Sequence, residues 1–139
     1  MCIRDRETTE ARAFIDEKIA DAASTIPFAK AQTFVGCAGT FTTLSALAQG
    51  LDRYDPERIH MSEIPFDRLR EVTADLRAKT AEQRRENPVV HPGRADVIGS
   101  GSTVVEQLMD AFEREAGATS FIISEKDILD GIVSGLAER

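Results

Sequence analysis

The sequence predicts an α/β fold that is rich in helices and has few strands. Residues 31–36 and 118–123 are short runs of strand-forming residues, and the intervening segments carry apolar residues at helical spacing. The second run is mostly apolar, as is typical of a strand in a buried parallel sheet. Two strands are few for this many helices, so we expect a sheet from which further strands are missing.

Size and composition favour one acidic globular domain. The chain has 139 residues, of which 42% are hydrophobic and 29% charged, and its net charge is −7. This charge argues against a general nucleic-acid binder and against attraction to an anionic membrane. No apolar run approaches the ~18 residues of a membrane-spanning helix, and no signal peptide is evident. We therefore expect a cytoplasmic protein.

The first predicted helix covers residues 7–26 and ends at Pro27. Its apolar residues recur at helical spacing: Ala11, Ile15, Ile19, Ala22 and Ile26. Residues 1–6 do not extend this pattern, and we interpret them as an irregular N-terminal segment that need not be native.

A strand, a glycine-containing turn and a helix are predicted next. The strand covers residues 31–36, Gly36 and Gly39 bracket a tight turn, and Thr40 is the expected N-cap. An apolar stripe then continues to Gly50, where the helix is expected to end.

The middle of the chain is predicted to be mainly helical. Residues 58–63 form a candidate short strand, and Pro65 is placed at the first position of a helix that runs to about Lys79. Thr80 with Gln83 has the pattern of a capping box. Residues 87–93 contain two prolines and are expected to form a loop.

The last third predicts a helix of roughly 20 residues from Arg94, then a strand and a final helix. Gly99 and Gly101 lie near the start of the long helix, and Gly117 ends it. Ser124 with Asp127 is interpreted as a second capping box. The last helix is expected to turn its apolar residues inward: Ile128, Ile132 and Leu136.

The turn at residues 36–40 is the first candidate for chemistry. Glycines between a strand and a helix allow backbone N–H groups to converge on an anion at the helix N-terminus. The turn lacks the lysine of a P-loop and the third glycine of a dinucleotide fingerprint, so a purely structural turn is an equal alternative. Cys37 lies within it, but no base is placed beside it to make it a nucleophile.

Arg94 and Asp96 form the second candidate. A cation at the start of a helix opposes the helix dipole unless it pairs with a carboxylate or an anionic ligand, so structural and ligand roles both stay open for Arg94. Arg84 and Arg85 are interpreted as surface charges.

Neither metal binding nor acid–base catalysis has a clear residue set. His60 and His91 are isolated and lack metal-ligand spacing, and Cys2 and Cys37 form neither a zinc set nor a disulfide framework. His91, beside a proline, is interpreted as a turn residue. No carboxylate pair is set apart as acid and base. We assign no catalytic and no metal-ligating residue.

Three segments together resemble one family. GCAGTFTTLSALAQGLDRYDPERIH, HPGRADVIGSGSTVVEQLM and SFIISEKDILDGIVSGL are similar, in order, to motifs of the exopolyphosphatase and guanosine pentaphosphate phosphatase (Ppx/GppA) family. The similarity covers residues 33–136. It implies a partial actin-like domain of the ribonuclease H-like superfold, which also includes sugar kinases and heat-shock ATPases. Residues 7–139 would form an incomplete second domain, without the first domain and the start of the second.

The resemblance also implies an activity and partners for the intact protein. The family releases terminal phosphate from inorganic polyphosphate or guanosine pentaphosphate with Mg²⁺, and its members are commonly homodimers. The metal ligands and the catalytic glutamate are expected mainly outside this chain, which would be inactive alone. No nucleic acid or membrane partner is expected.

The resemblance implies that five residues of this chain bind phosphate. Gly36, Gly39 and Thr40 match the family's second-domain loop, and Arg94 and Asp96 match its RAD motif. The alternative is a non-catalytic polyphosphate- or alarmone-binding or dimerisation module that keeps the fold. A sugar-kinase-type phosphotransferase is a third alternative.

Overall fold

The computed structural model describes residues 3–139 and places seven α-helices among them. These helices are α1 (Ile3–Ala23), α2 (Gly39–Ala48), α3 (Pro56–Ile59), α4 (Phe66–Ala78), α5 (Ala81–Arg85), α6 (Ile98–Ala116) and α7 (Ile128–Ala137). Short 3-10 turns lie at Phe28–Lys30 and Pro92–Arg94. The strands described are β1 (Val35–Cys37), β2 (Ser62–Pro65) and β3 (Ser120–Ser124).

The three strands form a mixed sheet in the order β1-β3-β2. β1 runs parallel to β3, with Gly36 opposite Ile123, which confirms the predicted parallel pairing. β2 runs antiparallel on the other side of β3. The candidate strand at 58–63 is displaced along the chain, because Asp55 caps a short helix that starts at Pro56 and delays the strand to Ser62.

The core lies between one face of this sheet and helices α2, α4 and α6. Phe121 and Ile123 on β3 are almost completely buried, while Ile122 between them is partly exposed, as the two-residue period of a strand requires. The Phe121 ring is surrounded by other aromatic rings, with centroid distances of 5.0 Å to Phe41 and 5.0 Å to Phe66. This cluster joins β3 to α2 and α4.

Several helix ends differ from the predictions. α1 begins at Ile3, because a solvent-exposed turn needs no apolar periodicity to be helical, and Thr8 Oγ1 supports it by donating to Arg4 O (2.9 Å). Met1 and Cys2 lie outside the described residues. Pro65 ends β2 instead of opening α4, which starts at Phe66.

Two capping predictions have different outcomes. The capping box of Thr80 and Gln83 is present at the start of α5. At α7 the N-cap is Asp127, which pairs with Asp130, so the assignment to Ser124 was wrong. Ser124 Oγ instead binds the backbone of Lys126 within the preceding turn.

The α1 helix is held against α4 and α6 by a half-buried polar network around Glu106. Arg12 Nη2 donates to Glu106 Oε2 (2.5 Å), and Arg77 Nε donates to Glu106 Oε1 (3.0 Å). Gln107 next to it binds Asp16 of α1 (2.6 Å). Burial disfavours the Glu106 carboxylate, but hydrogen bonds from Arg12, Thr73 and Arg77 outweigh this and hold the pKa of Glu106 below its ordinary value.

Apolar residues of α7 and of the edge strand β1 are exposed. For α7 this contradicts the prediction that its apolar residues turn inward. All residues of α7 are exposed, including Ile128 (80%) and Leu129 (71%), so its apolar face does not turn inward. The reason is that no described element packs on that side of the helix. Val35 on the edge strand β1 is also exposed.

We predict that Glu106→Gln destabilises the protein by about 1–2 kcal/mol, because Arg12 and Arg77 lose a charge-assisted partner in a half-buried site. Since the folded-state pKa of Glu106 is lowered, its contribution is present above the ordinary glutamate pKa and lost as pH falls through the lowered value. Urea unfolding of both proteins across acidic pH measures this.

Glu71→Gln is the matched control, since Glu71 pairs with Arg68 on the exposed side of α4. It should change the unfolding free energy by less than about 0.5 kcal/mol. Equal losses in the two variants, or an unchanged acid dependence in Glu106→Gln, would contradict the role given to Glu106.

We also predict that the 139-residue chain self-associates through α7 and the β1 edge. Replacing Leu129 and Val133 together by lysine should shift sedimentation velocity profiles towards the monomer at high concentration. The matched control puts lysines at the exposed residues Ala74 and Ala78 of α4, with the same spacing and charge change. A chain that is monomeric and melts cooperatively without any substitution would contradict the prediction.

Candidate functional site

The carboxyl ends of β1 and β3 lie at the same edge of the sheet because the two strands are parallel. We call this the carboxyl edge and define it by residues 37–40, from the last residue of β1 into α2, and 124–127, from the last residue of β3 to the N-cap of α7. Ligands of open α/β sheets bind at such an edge, where helix N-termini and loops converge. Here α2 begins at Gly39, one residue after the positive-φ residue Ala38.

The turn into α2 is made by Ala38 alone, in a backbone conformation that favours glycine. Ala38 has φ 72° and ψ 174°, a region that side chains with a Cβ rarely adopt. The predicted N-cap Thr40 is already inside the helix, and no side chain caps α2. The first N–H groups of α2 are therefore left without a side-chain acceptor at the carboxyl edge.

The structure brings Gly39 and Arg94 together. A Cβ added at Gly39 would overlap the Arg94 guanidinium, so this side chain lies directly against the first residue of α2. Arg94 reaches it from the end of the 3-10 turn Pro92–Arg94, which precedes α6. Its side chain is exposed, and within residues 3–139 no hydrogen bond or ion pair ties down its guanidinium.

The other predicted residues have more varied surroundings. Thr40 packs on the first turns of α6, where a Cβ added at Gly101 would lie 2.8 Å from Thr40 Oγ1. Gly36 is a buried residue of β1 covered by the Phe41 ring, so it does not bracket the turn, because the strand continues to Cys37.

Asp96 is engaged with α5. Its Oδ1 accepts from Arg85 Nη2 at 2.8 Å, and both side chains are largely exposed. The structure therefore resolves one open alternative: the ion pair of Asp96 is with Arg85, and Arg94 does not pair with it. A phosphate contact by Asp96 stays a prediction.

Glu125 belongs to the carboxyl edge and Tyr54 is hydrogen-bonded to it, and neither residue was singled out from the sequence. The Tyr54 hydroxyl donates to Glu125 Oε1, and Glu125 N–H donates to His60 Nδ1 (3.1 Å). Burial, reinforced by the bond to Glu125, raises the pKa of Tyr54, while Thr42 and Arg94 act in the opposite direction. Tyr54 is thus a neutral hydrogen-bond donor within electrostatic range of Arg94.

No sequence signal could have paired Tyr54 with Glu125, because 71 positions separate them. Arg84 was also misjudged: it is half-buried and donates to two backbone carbonyls, whereas a surface charge was expected. His91, predicted as a turn residue, does accept a hydrogen bond from the backbone N–H of Gly93 (3.0 Å).

The part of the chain from Ile3 onward holds no group of three or more His, Cys, Asp or Glu side chains that could bind a metal ion. Of the helices in this same part, none is both long and apolar enough to cross a membrane.

The fold and site define a class of protein: an α/β module in which the N-terminus of α2 has no side-chain cap and lies against Arg94 at the carboxyl edge of two parallel strands. The sequence profile of the Ppx/GppA phosphatase family matches residues 2–135. The chain belongs to the Ppx/GppA phosphatase family.

Individual relatives agree with this assignment. Exopolyphosphatase 2 of Mycobacterium tuberculosis is 46% identical to this chain over 132 residues, which are 95% of this chain and 41% of the relative. A bifunctional 3-dehydroquinate synthase/phosphatase of Fusobacterium nucleatum is 30% identical over 101 residues, or 73% of this chain and 14% of that protein. The chain thus spans about two fifths of the length of its M. tuberculosis relative.

Solved structures show the same fold. The crystal structure of an exopolyphosphatase-like protein superposes with a TM-score of 0.94 at 35% identity, over 97% of this chain and 44% of that one. The Aquifex aeolicus member of the Ppx/GppA family superposes with a TM-score of 0.81 at 23% identity, over 96% of this chain and 42% of that one. These neighbours confirm the predicted actin-like fold class.

We predict that Ala38→Gly raises the unfolding free energy by about 1 kcal/mol. Relief of a positive-φ conformation that costs of order 1–3 kcal/mol exceeds the entropy that glycine adds to the unfolded chain. Urea unfolding measures the change.

Ala74→Gly on the exposed face of α4 is the control for this substitution, and it should destabilise by about 1 kcal/mol. The strain at Ala38 would be refuted by a destabilisation of the same sign and size in both variants.

Proposed function

We propose that this chain forms one wall of the phosphate site of a phosphoanhydride hydrolase. The intact protein would release terminal phosphate from inorganic polyphosphate or from guanosine pentaphosphate. Family membership supports a phosphatase, and exopolyphosphatase 2 of M. tuberculosis supports polyphosphate as the substrate. Because this chain spans about two fifths of that relative, we propose that it is inactive alone and needs residues outside this chain.

One observation carries the proposal: the Arg94 guanidinium lies against the first residue of α2 and has no hydrogen-bond or ion-pair partner among residues 3–139. A cation beside uncapped N–H groups at a helix N-terminus is a favourable setting for a phosphate oxygen. In a chain of net charge −7, such a local cluster allows a polyanion to bind without a broad basic surface.

The residues would have distinct tasks. Backbone N–H groups at the start of α2 would hold phosphate oxygens, and Arg94 would neutralise charge that develops as the phosphoanhydride bond breaks. Tyr54 would orient the Glu125 side chain beside the site, because its hydroxyl proton is donated to Glu125 Oε1. Hydrolysis transfers the terminal phosphoryl group to water and leaves a chain shorter by one phosphate.

Mg²⁺ is a further part of the proposal. It would neutralise phosphate charge when bound, with its ligands mainly outside this chain. A homodimer of the intact protein and a location in the cytoplasm also remain our expectations.

We predict that the 139-residue chain binds tripolyphosphate without releasing phosphate from it. Arg94→Ala should weaken binding about tenfold, since a charge-assisted contact at an exposed site contributes about 1.4 kcal/mol. Gly39→Ala should also weaken it, because the new Cβ displaces the guanidinium from α2. Equilibrium dialysis at low micromolar protein, with a parallel assay of phosphate release in the presence of Mg²⁺, measures both quantities.

Two controls match these variants. Arg114→Ala removes an exposed arginine near the other end of α6, and Gly131→Ala adds a methyl group where nothing lies within 4 Å. Neither should change tripolyphosphate binding. An Arg94→Ala protein that binds as well as the wild type would overturn the proposed site. Sustained phosphate release by the unaltered chain would overturn its inactivity.

A further inference from the structure

Arg84 connects three parts of the chain through one guanidinium group. Its Nε donates to Leu76 O of α4 (2.7 Å), and its Nη1 donates to Ala95 O (3.0 Å). Its Nη2 lies against the first turn of α6, where a Cβ added at Gly99 would be only 2.6 Å away. Arg84 itself belongs to the short helix α5 and is half-buried.

Each of the two hydrogen bonds supplies a donor to a backbone carbonyl that needs one. Leu76 O is among the last four carbonyls of α4, which have no partner within their own helix. Ala95 is completely buried, so its carbonyl also needs a donor from the protein. The planar guanidinium can serve both carbonyls at once because its donors point in fixed, diverging directions, which a lysine ammonium cannot reproduce.

The segment that Arg84 holds is the one that carries the anion site. Ala95 is the neighbour of Arg94, whose guanidinium must reach Gly39. The first turns of α6 follow, and there Gly101 packs against Thr40 on α2. A shift of the Ala95 carbonyl would therefore move Arg94 and the contact between α6 and α2 together.

We propose that Arg84 is a positioning residue of the anion site: it touches no ligand and sets where Arg94 lies relative to the N-terminus of α2. This inference rests on the proposed function of the same site. It also gives a reason for glycine at position 99, because any side chain there would displace the Arg84 guanidinium.

A double-mutant cycle tests the inference with tripolyphosphate as the probe. Arg84→Lys keeps the charge but loses the two-directional hydrogen bonding, and it should weaken binding about five- to tenfold in the wild-type background. In the Arg94→Ala background the same substitution should change binding less than twofold, because the group that Arg84 positions is gone. Equilibrium dialysis gives the affinities, and thermal melting shows that each variant is folded.

Gly99→Ala is a second way to displace the guanidinium, and it keeps an arginine at position 84. It should reproduce the background dependence of Arg84→Lys even if Arg84→Lys melts too low to be measured. Arg114→Lys is the matched control, since Arg114 is exposed and its ion pair in the described part of the chain is with its neighbour Glu115. It should bind tripolyphosphate as the wild type does in both backgrounds.

The outcomes separate this inference from the proposed function. Equal weakening by Arg84→Lys and Gly99→Ala in both backgrounds would show a purely structural role and overturn the inference, while the site at Arg94 would stand. If Arg94→Ala leaves binding unchanged, the proposed site and the positioning role fall together.

Discussion

The parallel pairing of β1 with β3 is the constraint on which the rest of the structure depends. Because the strands run in the same direction, residues that follow Cys37 and residues that follow Ser124 meet at one edge of the sheet. The turn into α2 and the turn that holds Glu125 are thereby placed side by side. The burial of Phe121 among Phe41, Phe66 and Phe112 holds this arrangement, because a shift of β3 by one residue would expose the central ring.

Under the proposed function, the candidate site would give a strongly acidic protein a local surface for an anion. The backbone at Ala38 adopts a costly conformation, and this leaves the N-terminus of α2 uncapped at the carboxyl edge. Arg94 adds one positive charge at that point, where a small residue lets it approach the helix. The potential that matters to a bound phosphate is set by these near groups, since distant charges are screened by salt over about 10 Å.

Charged residues that look alike in the sequence have different roles in the structure. Arg84 and Arg85 are adjacent, yet Arg84 ties two backbone segments together while Arg85 forms an exposed ion pair with Asp96. Glu106 lies in a helix like most other carboxylates of the chain, but it accepts hydrogen bonds from arginines of two other helices. Burial separates these roles, because an ionised group taken out of water must have partners, whereas a solvated one need not.

The sequence by itself determined what depends on neighbours along the chain. The capping box at Thr80 and the left-handed stop at Gly117 follow from local chemistry, and the two parallel strands follow from local composition. Family motifs also pointed to Gly39 and Arg94, which the fold then brought together. Only the tertiary structure decided the pairing of Tyr54 with Glu125, the hydrogen bonds from Arg84 to two backbone carbonyls and the exposure of α7. These depend on which surfaces meet across long separations, and periodicity along a chain shows that a face is apolar without showing what covers it.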